Sequence, residues 1–183
     1  MEHPSDDLIY DWNEVGRRHP PFGPVEFFDE TLRDGLQNPS VRDPSIEEKL
    51  ELLHLMDQLG IHAADIGLPG STPRAYDDVL RMCQEIVSAK LAIRPAAAGR
   101  TVVADIAPMA DISQKVGIPL EVYTFIGSSP IRLFAEGWDV DRLLKTSAEA
   151  IDFGVKHDLP VAYVTEDTIR SRPEVLEIGR AHV

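Results

Sequence analysis

The stretch VEFFDETLRDGLQ, residues 25–37, carries an apolar run directly into a charged turn. Its first part, VEFFDET at 25–31, is predicted to form a β-strand, because aromatic and β-branched residues favour strands. Arg33 and Asp34 follow at once, and Gln37 comes shortly after them. A cation, an anion and an amide therefore crowd the exit of an apolar strand. Such a group is expected either in a solvated turn or at the rim of an active site.

Strand and helix patterns alternate along the rest of the chain. The helix predicted at 43–60 is the best signalled, because Ser45 and Glu48 form a capping box and Gly60 provides a stop. Its apolar residues predict one buried stripe, formed by Ile46, Leu50, Leu53, Met56 and Leu59. Further strands are predicted within 61–70 and at 91–99, 119–127 and 160–167, and further helices at 71–90, 102–117 and 140–158.

Two prolines fit this pattern poorly. Pro95 lacks the N–H that a strand ladder uses, so it weakens the strand predicted at 91–99. Pro108 falls inside the helix predicted at 102–117, where it removes a backbone donor. The strand and the helix are still predicted, because strand starts recur about every thirty residues, which is the size of a βα unit.

Alternating strands and helices predict a parallel sheet covered by helices. Two closures fit that order: an open doubly wound sheet, or part of a (β/α)₈ barrel. The first strand is not followed by G-x-G-x-x-G, which removes the signal for dinucleotide binding. Polar segments instead follow several successive strands, as they do in a barrel that builds its site from carboxyl-end loops. We therefore predict a partial (β/α)₈ TIM barrel with about the first five βα units and parallel strands.

Three regions are expected along the chain. Residues 1–24, which end in a proline-rich stretch, are predicted to form an N-terminal arm. Residues 25–176 are predicted to form a truncated TIM-barrel catalytic domain, since a whole barrel takes about 250 residues. Residues 177–183 match the in-frame translation of a sequencing adapter and are expected to be a non-native tail; the alternative is a natural end that resembles the adapter by chance.

Composition narrows the class of protein. A hydrophobic fraction of 43% and a charged fraction of 27% are typical of soluble globular proteins. A net charge of -13 argues against nucleic-acid partners, whose phosphates favour basic surfaces. No apolar run approaches the roughly 20 residues that span a bilayer. Cys83 is the single cysteine, so an internal disulfide is excluded. A cytoplasmic protein without membrane or nucleic-acid partners is expected.

The segment DETLRDGLQ at 29–37 resembles the first-strand signature of the DRE-type TIM-barrel metallolyase family. That family includes 2-isopropylmalate synthase, homocitrate synthase, citramalate synthase and hydroxymethylglutaryl-CoA lyase. The resemblance continues in order through 45–61, 64–73, 122–133 and 161–171, and it is most specific at TLRDG. It runs from about Val25 to Arg172.

The resemblance assigns roles to the residues that follow the first strand. Asp34 would ligate a divalent metal, Mg²⁺ or Mn²⁺ with Zn²⁺ as a further candidate, because hard cations take carboxylate oxygens. Arg33 would stabilise the enolate or alkoxide oxygen as charge develops. Gln37 would hydrogen-bond the bound keto acid. The alternative for Arg33 and Asp34 is a solvated turn before a helix.

Three further residues are implied with alternatives of their own. Glu166 resembles a catalytic glutamate near the substrate, or it is a surface residue that caps the next helix. Asp65 stands where many members carry glutamate, and it either binds substrate or serves packing and hydrogen bonding. Thr124 either binds substrate or simply favours the strand.

The chain departs from the family: it contains no H-x-H motif, which supplies the other two metal ligands in the family, and the family's general-base machinery is likewise absent. The resemblance implies an N-terminal fragment of an enzyme that condenses acetyl-CoA with a 2-keto acid, closest to 2-isopropylmalate synthase-like members and homodimeric at full length. One rival is a hydroxymethylglutaryl-CoA lyase-like enzyme, whose branch favours RDGLQN. Another is a truncated fragment without activity.

Overall fold

The structure, a computed structural model, describes residues 23–181. The predicted arm at 1–24 therefore lies almost entirely outside the described residues. The strands are β1 (Phe28–Asp29), β2 (Ala63–Asp65), β3 (Arg94–Arg100), β4 (Glu121–Gly127) and β5 (Val161–Glu166). The helices are α1 (Ile46–Leu59), α2 (Pro73–Ala89), α3 (Val103–Val116), α4 (Pro130–Glu136), α5 (Val140–Lys156) and α6 (Pro173–Ala181). Two 3₁₀ turns lie at Gly35–Gln37 and Thr168–Arg170.

The strands form one sheet in the order β1-β2-β3-β4-β5, and every neighbouring pair is parallel. The stacking of the rings of Phe28 in β1 and Tyr123 in β4 shows that the sheet curls. Their centroids lie 4.8 Å apart although two strands separate β1 from β4. A doubly wound sheet would instead reverse its strand order and stay open. The predicted partial (β/α)₈ barrel with five parallel strands is confirmed, as a curled half-barrel.

The hydrophobic core lies between the convex face of the sheet and the helices. Leu53 of α1, Met82 of α2, Met109 of α3 and Val122 of β4 all belong to it and are almost fully buried. In α1 the predicted capping box is present: the Ser45 hydroxyl accepts from the Glu48 N–H at 3.3 Å, and the Glu48 carboxylate accepts from the Ser45 N–H at 2.7 Å. These caps and this apolar face fix α1 against the sheet.

The predicted stripe on α1 is only partly buried. Leu53 and Met56 are in the core, but Leu59 is 80% exposed. Leu59 is the last residue of the helix, and Gly60 directly after it adopts a left-handed conformation. The prediction for Leu59 was wrong because the helix ends there and no neighbouring element covers its last residue.

The first strand is shorter than predicted. Pairing with β2 involves only Phe28 and Asp29, whereas 25–31 was expected. The carbonyl of Glu30 accepts from the N–H groups of Arg33 and Gly35, each at 3.1 Å, so the chain turns out of the sheet after Asp29. This early turn sets the position of the charged segment.

Pro95 does not interrupt the sheet. Successive residues of a parallel strand bond alternately to the two neighbouring strands. The Arg94 N–H donates to the His62 carbonyl on the β2 side at 3.0 Å, so Pro95 faces β4. Pairing with β4 begins only at Ala96 and Glu121, and the missing N–H removes no rung. The strand at 94–100 is therefore regular, contrary to the expected weakening.

Two helices were not predicted. Helices α4 and α6 each begin with a proline, a residue that fits the first helical turn because it needs no N–H donor there. Helix α6 continues through residues 177–181 of the predicted tail, and the non-native origin of that tail stays a prediction. Within residues 23–181 no helix is both long enough and apolar enough to cross a membrane.

Candidate active site at the carboxyl ends of the strands

Arg33 is the centre of a charge cluster at the exits of β1 and β2. Its Nε lies 3.0 Å from Asp65 Oδ2 and its Nη1 lies 3.1 Å from Asp34 Oδ1. Its Nη2 donates to the Glu30 carboxylate. Because one guanidinium with five donors faces three acids, its plane is fixed from several sides. The predicted residues Arg33, Asp34 and Asp65 are thus brought together, and Glu30 joins them.

Asp65 is the buried member of this cluster. It ends β2, its side chain is fully buried, and its Oδ1 accepts the Gly67 N–H at 3.2 Å. Burial raises the pKa of Asp65 to about 6, although the Gly67 N–H and the Arg33 guanidinium both favour the charged form. The free-energy cost of removing the carboxylate from water therefore exceeds the stabilisation of its charged form by Gly67 and Arg33. Asp65 therefore gives up its proton less readily than an ordinary aspartate.

Asp34 is the exposed member, with 64% of its side chain accessible. Its carboxylate could give one oxygen to a hard divalent cation. Within residues 23–181, however, no three His, Cys, Asp or Glu side chains are arranged to hold a metal ion. Among the described residues, Asp34 could thus supply one ligand to such an ion, but a complete set of ligands is not present there.

Gln37 lies in the 3₁₀ turn after the cluster and shares a cavity of about 220 Å³ with Arg33. The opposite wall includes Lys49 and Asp78, whose Nζ and Oδ2 are 2.7 Å apart. Lys49 also lies 2.9 Å from Asp43 in the loop that follows the turn. This buried ion pair, with Lys49 only 8% exposed, ties the loop carrying Gln37 to α1 and α2.

Glu166 borders a second cavity of about 270 Å³, at the carboxyl ends of β3, β4 and β5. Its Oε2 accepts a long hydrogen bond of 3.4 Å from Arg132 Nη2. Arg100 lies on the same cavity and is held by Asp105, with Nε and Nη2 each 2.8 Å from the carboxylate. Trp138 adds an aromatic wall. The cavity therefore combines an apolar surface with charged groups that are already paired.

The structure does not bring Thr124 to either group of charged residues. Thr124 is fully buried and donates from Oγ1 to Thr101 Oγ1 at 2.9 Å. It shares the helix-facing side of β4 with the core residue Val122, whereas Tyr123 faces the concave side. Thr124 can influence the second cavity only through Thr101, which lines it.

Sequence reasoning missed several residues at the site. Glu30 stands in the same DET run and could have been proposed from its distance of three residues to Arg33. Asp167 contacts the loop after β4 through Ser128. It does so from a left-handed backbone conformation that aspartate tolerates more readily than most residues. Arg132 carries no signal, because its partner lies 34 residues away.

A sequence model of the HMGL-like family matches residues 24–181. The 2-isopropylmalate synthase of Pyrococcus furiosus is 27% identical over 148 residues, which cover 80% of this chain and 28% of that protein. The 2-isopropylmalate synthase of Lactococcus lactis subsp. cremoris is 29% identical over 153 residues, covering 83% and 29%. Homocitrate synthase AksA of Methanopyrus kandleri is 31% identical over 154 residues, covering 84% and 36%. The chain thus spans 28–36% of the length of these relatives.

Proposed function

Because this chain belongs to the HMGL-like family, we propose that the protein it comes from is a condensing synthase. It would join the acetyl group of acetyl-CoA to the keto carbon of a 2-keto acid in a Claisen-type step, as a homodimer. The observation that carries the proposal is the Arg33 cluster, in which the guanidinium contacts Asp65, Asp34 and Glu30 at the strand exits. The names of the three relatives, all synthases, support this direction of reaction.

Arg33 is the electrostatic centre of the proposed reaction. When a carbon nucleophile attacks a keto carbonyl, the C=O electron pair moves to oxygen, and negative charge develops there. A guanidinium that is charged at all working pH values stabilises this oxygen without a proton transfer. The contacts of Arg33 with Asp65 and Glu30 hold it in place before substrate arrives.

Asp65 and Gln37 would position the keto acid. Asp65 fixes the guanidinium through Nε and leaves the two Nη groups to contact Asp34 and Glu30. Gln37 shares the cavity of Arg33 and offers both a donor and an acceptor to the keto-acid carboxylate. We assign Thr124 a supporting role behind Thr101, in place of direct contact with the substrate.

Glu166 is assigned a catalytic role near the substrate. In the reaction a base would remove a proton from the acetyl methyl group, the C–H electron pair would form the new C–C bond with the keto carbon, and the keto oxygen, now an alkoxide, would take up a proton. Water would hydrolyse the thioester afterwards and release CoA. Glu166 suits this role because it borders a cavity with an apolar wall at the carboxyl end of the sheet.

Asp34 would supply one ligand to a divalent metal, Mg²⁺ or Mn²⁺ with Zn²⁺ as a further candidate. Such an ion polarises a carbonyl as a Lewis acid when bound. The remaining ligands would come from residues other than 23–181.

The test is a CoA-release assay on the protein encoded by the complete gene. Acetyl-CoA is combined with pyruvate, 2-ketoisovalerate or 2-ketoglutarate, with Mg²⁺ or Mn²⁺, and free thiol is measured against a control without keto acid. We expect release that depends on one of the keto acids. Absence of release with all three would overturn the condensing function.

A lyase-like cleavage is the second candidate. The observation that favours it is RDGLQN at 33–38, which resembles the lyase branch of the family. Cleavage of hydroxymethylglutaryl-CoA by the same preparation, without condensation of any keto acid, would establish this alternative. The 183-residue chain alone is expected to show neither reaction, because residues 23–181 hold no group of side chains that could bind a metal ion.

A further inference from the structure

Asp167 has an unusual backbone conformation directly beside a proposed catalytic residue. Its φ of 47° and ψ of 31° lie in the left-handed region. Among the described residues, the other non-glycine residues with positive φ are Lys90 and Asp158. A left-handed conformation costs a non-glycine residue about 1 kcal/mol or more, so it persists where the surroundings hold it.

The side chain of Asp167 shows what holds it. The Ser129 hydroxyl donates to Asp167 Oδ2, and the Ser128 N–H donates to Oδ1 at 3.3 Å. Both serines are buried, at 3% and 0% exposure. Ser128 also shares a 2.7 Å hydrogen bond with the Ser171 hydroxyl. We call Asp167, Ser128, Ser129 and Ser171 the β4–β5 clasp, because they join the loops after those two strands.

The clasp begins where the ladder of the sheet stops. Glu166 is the last residue of β5 and pairs with Gly127, the last residue of β4. The residue that follows each strand, Ser128 after β4 and Asp167 after β5, belongs to the clasp. The Asp167 carboxylate accepts a hydrogen bond from the Ser128 N–H. The main chain at Glu166 is therefore held by a sheet rung on one side and by side-chain hydrogen bonds on the other.

The clasp also reaches the carboxylate of Glu166. Ser129 caps α4 by accepting from the Arg132 N–H at 3.2 Å. Arg132 then lies across Gly127, where an added Cβ would be 2.7 Å from Arg132 Cγ. Its Nη2 ends 3.4 Å from Glu166 Oε2. A closed path thus runs from Asp167 through Ser129 and Arg132 back to Glu166.

We propose that Asp167 is a positioning residue for Glu166, acting through the β4–β5 clasp and Arg132. The left-handed turn at Asp167 directs its carboxylate to Ser129, and the same turn fixes the direction in which Glu166 leaves the sheet. This role rests on the proposed function for the part that concerns catalysis. The clasp itself can be tested without any turnover.

The first test is hydrogen–deuterium exchange on the 183-residue chain and, in parallel, on the complete protein. In Asp167→Gly the left-handed conformation becomes easy while the carboxylate is lost. We expect amides of residues 130–137 to exchange about tenfold faster, as befits the loss of one hydrogen-bonding group, and those of α1 to α3 to be unchanged. Asp167→Asn keeps an acceptor oxygen and is expected to restore most of the protection.

Asp158→Gly is the matched control. Asp158 also has a positive φ, of 57°, but it lies in the turn before β5 at the opposite end of the sheet. We expect no change at 130–137 in this variant. Unchanged exchange there in Asp167→Gly, equal acceleration in Asp158→Gly, or failure of Asp167→Asn to restore protection would each overturn the clasp.

The second test separates the clasp from the proposed chemistry. In the complete enzyme, Asp167→Gly is expected to lower kcat about tenfold or more with KM for the keto acid little changed, because only the placement of Glu166 is disturbed. If exchange responds and the wild-type enzyme turns over but kcat does not fall, the positioning role is wrong. If the wild-type enzyme has no activity at all, the proposed function fails while the exchange result stands.

Discussion

The guanidinium of Arg33 lies 3.0 Å from the buried carboxylate of Asp65, and this contact joins the exits of β1 and β2. The two residues are 32 positions apart in the chain. Arg33 reaches Asp65 with Nε and keeps its Nη groups for Asp34 and Glu30. A lysine could not reproduce this arrangement, because its single ammonium has no fork of donors.

Arg33→Lys is therefore expected to retain the positive charge and to lose the geometry. We expect CoA release by the complete enzyme to fall by a factor of about 100 or more, as when one preorganised donor is removed from an oxyanion site. Arg81→Lys on the exposed side of α2 is the matched control and should retain activity. Full activity in Arg33→Lys would contradict the role of the guanidinium.

The pKa of Asp65 predicts a pH-dependent stability. Between its ordinary value of 3.8 and about 6, the folded chain keeps the Asp65 proton while the unfolded chain has lost it. The free energy of unfolding therefore decreases as pH rises through that window. Full titration corresponds to about 3 kcal/mol, from roughly 1.4 kcal/mol per pKa unit.

Asp65→Asn should lack this contribution. Urea unfolding of both proteins between pH 4 and pH 7 measures the difference, and titrating groups remote from Asp65 contribute equally to the two proteins. The stability of the wild type relative to the variant is expected to fall over this range. Parallel pH profiles for the two proteins would show that Asp65 has an ordinary pKa.

The ion pair of Lys49 with Asp78 is expected to be sensitive to loss of one partner. Lys49→Met leaves Asp78 and Asp43 with Arg74 as their remaining cation, 3.8 Å and 3.0 Å away, at a predicted cost of about 1–3 kcal/mol in the free energy of unfolding. Lys145→Met is the control, because Lys145 is 78% exposed and lies 4.0 Å from Glu149. Urea denaturation should show no measurable change there. Equal effects in both variants would argue against a buried pair.

Gly70 is expected to tolerate no side chain. A Cβ at this position would lie 2.9 Å from the Cα of Asp105 and 3.1 Å from its carbonyl oxygen, and backbone atoms cannot move aside as a flexible side chain can. Gly70→Ala should lower the free energy of unfolding by about 1–3 kcal/mol. Gly23→Ala is the control, since no atom lies within 4 Å of its added Cβ. Thermal unfolding that does not distinguish the two variants would refute the close approach.

The sequence predicted the fold more fully than the site. The capping box of Ser45 and Glu48 and the alternation of strands and helices are local features, and both were confirmed. The prediction that Leu59 is buried was wrong, because burial at a helix end depends on what lies beyond the helix. Lys49 was not singled out in the sequence, because a lysine is usually exposed, yet two acids from other segments allow it to be buried.

Within the site, the residues in one short segment were predictable and their distant partners were not. Arg33, Asp34 and Gln37 follow one strand, and the resemblance of the segment DETLRDGLQ to a family signature suggested their roles, which stay predictions. The pKa of Asp65 depends on its burial in the folded protein, and a residue pattern in the sequence does not predict that burial. Thr124 was expected either to bind substrate or simply to favour the strand, and its place in the alternation of β4 turns it toward the helices.

The strand order β1-β2-β3-β4-β5 has a consequence for how the chain is made. Each strand pairs with the one synthesised just before it, so no strand waits for a later segment to find its place. Each of these pairings spans one βα unit, and no pairing between neighbouring strands closes a longer stretch of chain. A ribosome that releases this chain residue by residue would therefore let the sheet grow one βα unit at a time, with the Arg33 turn formed first and the β4–β5 clasp added last.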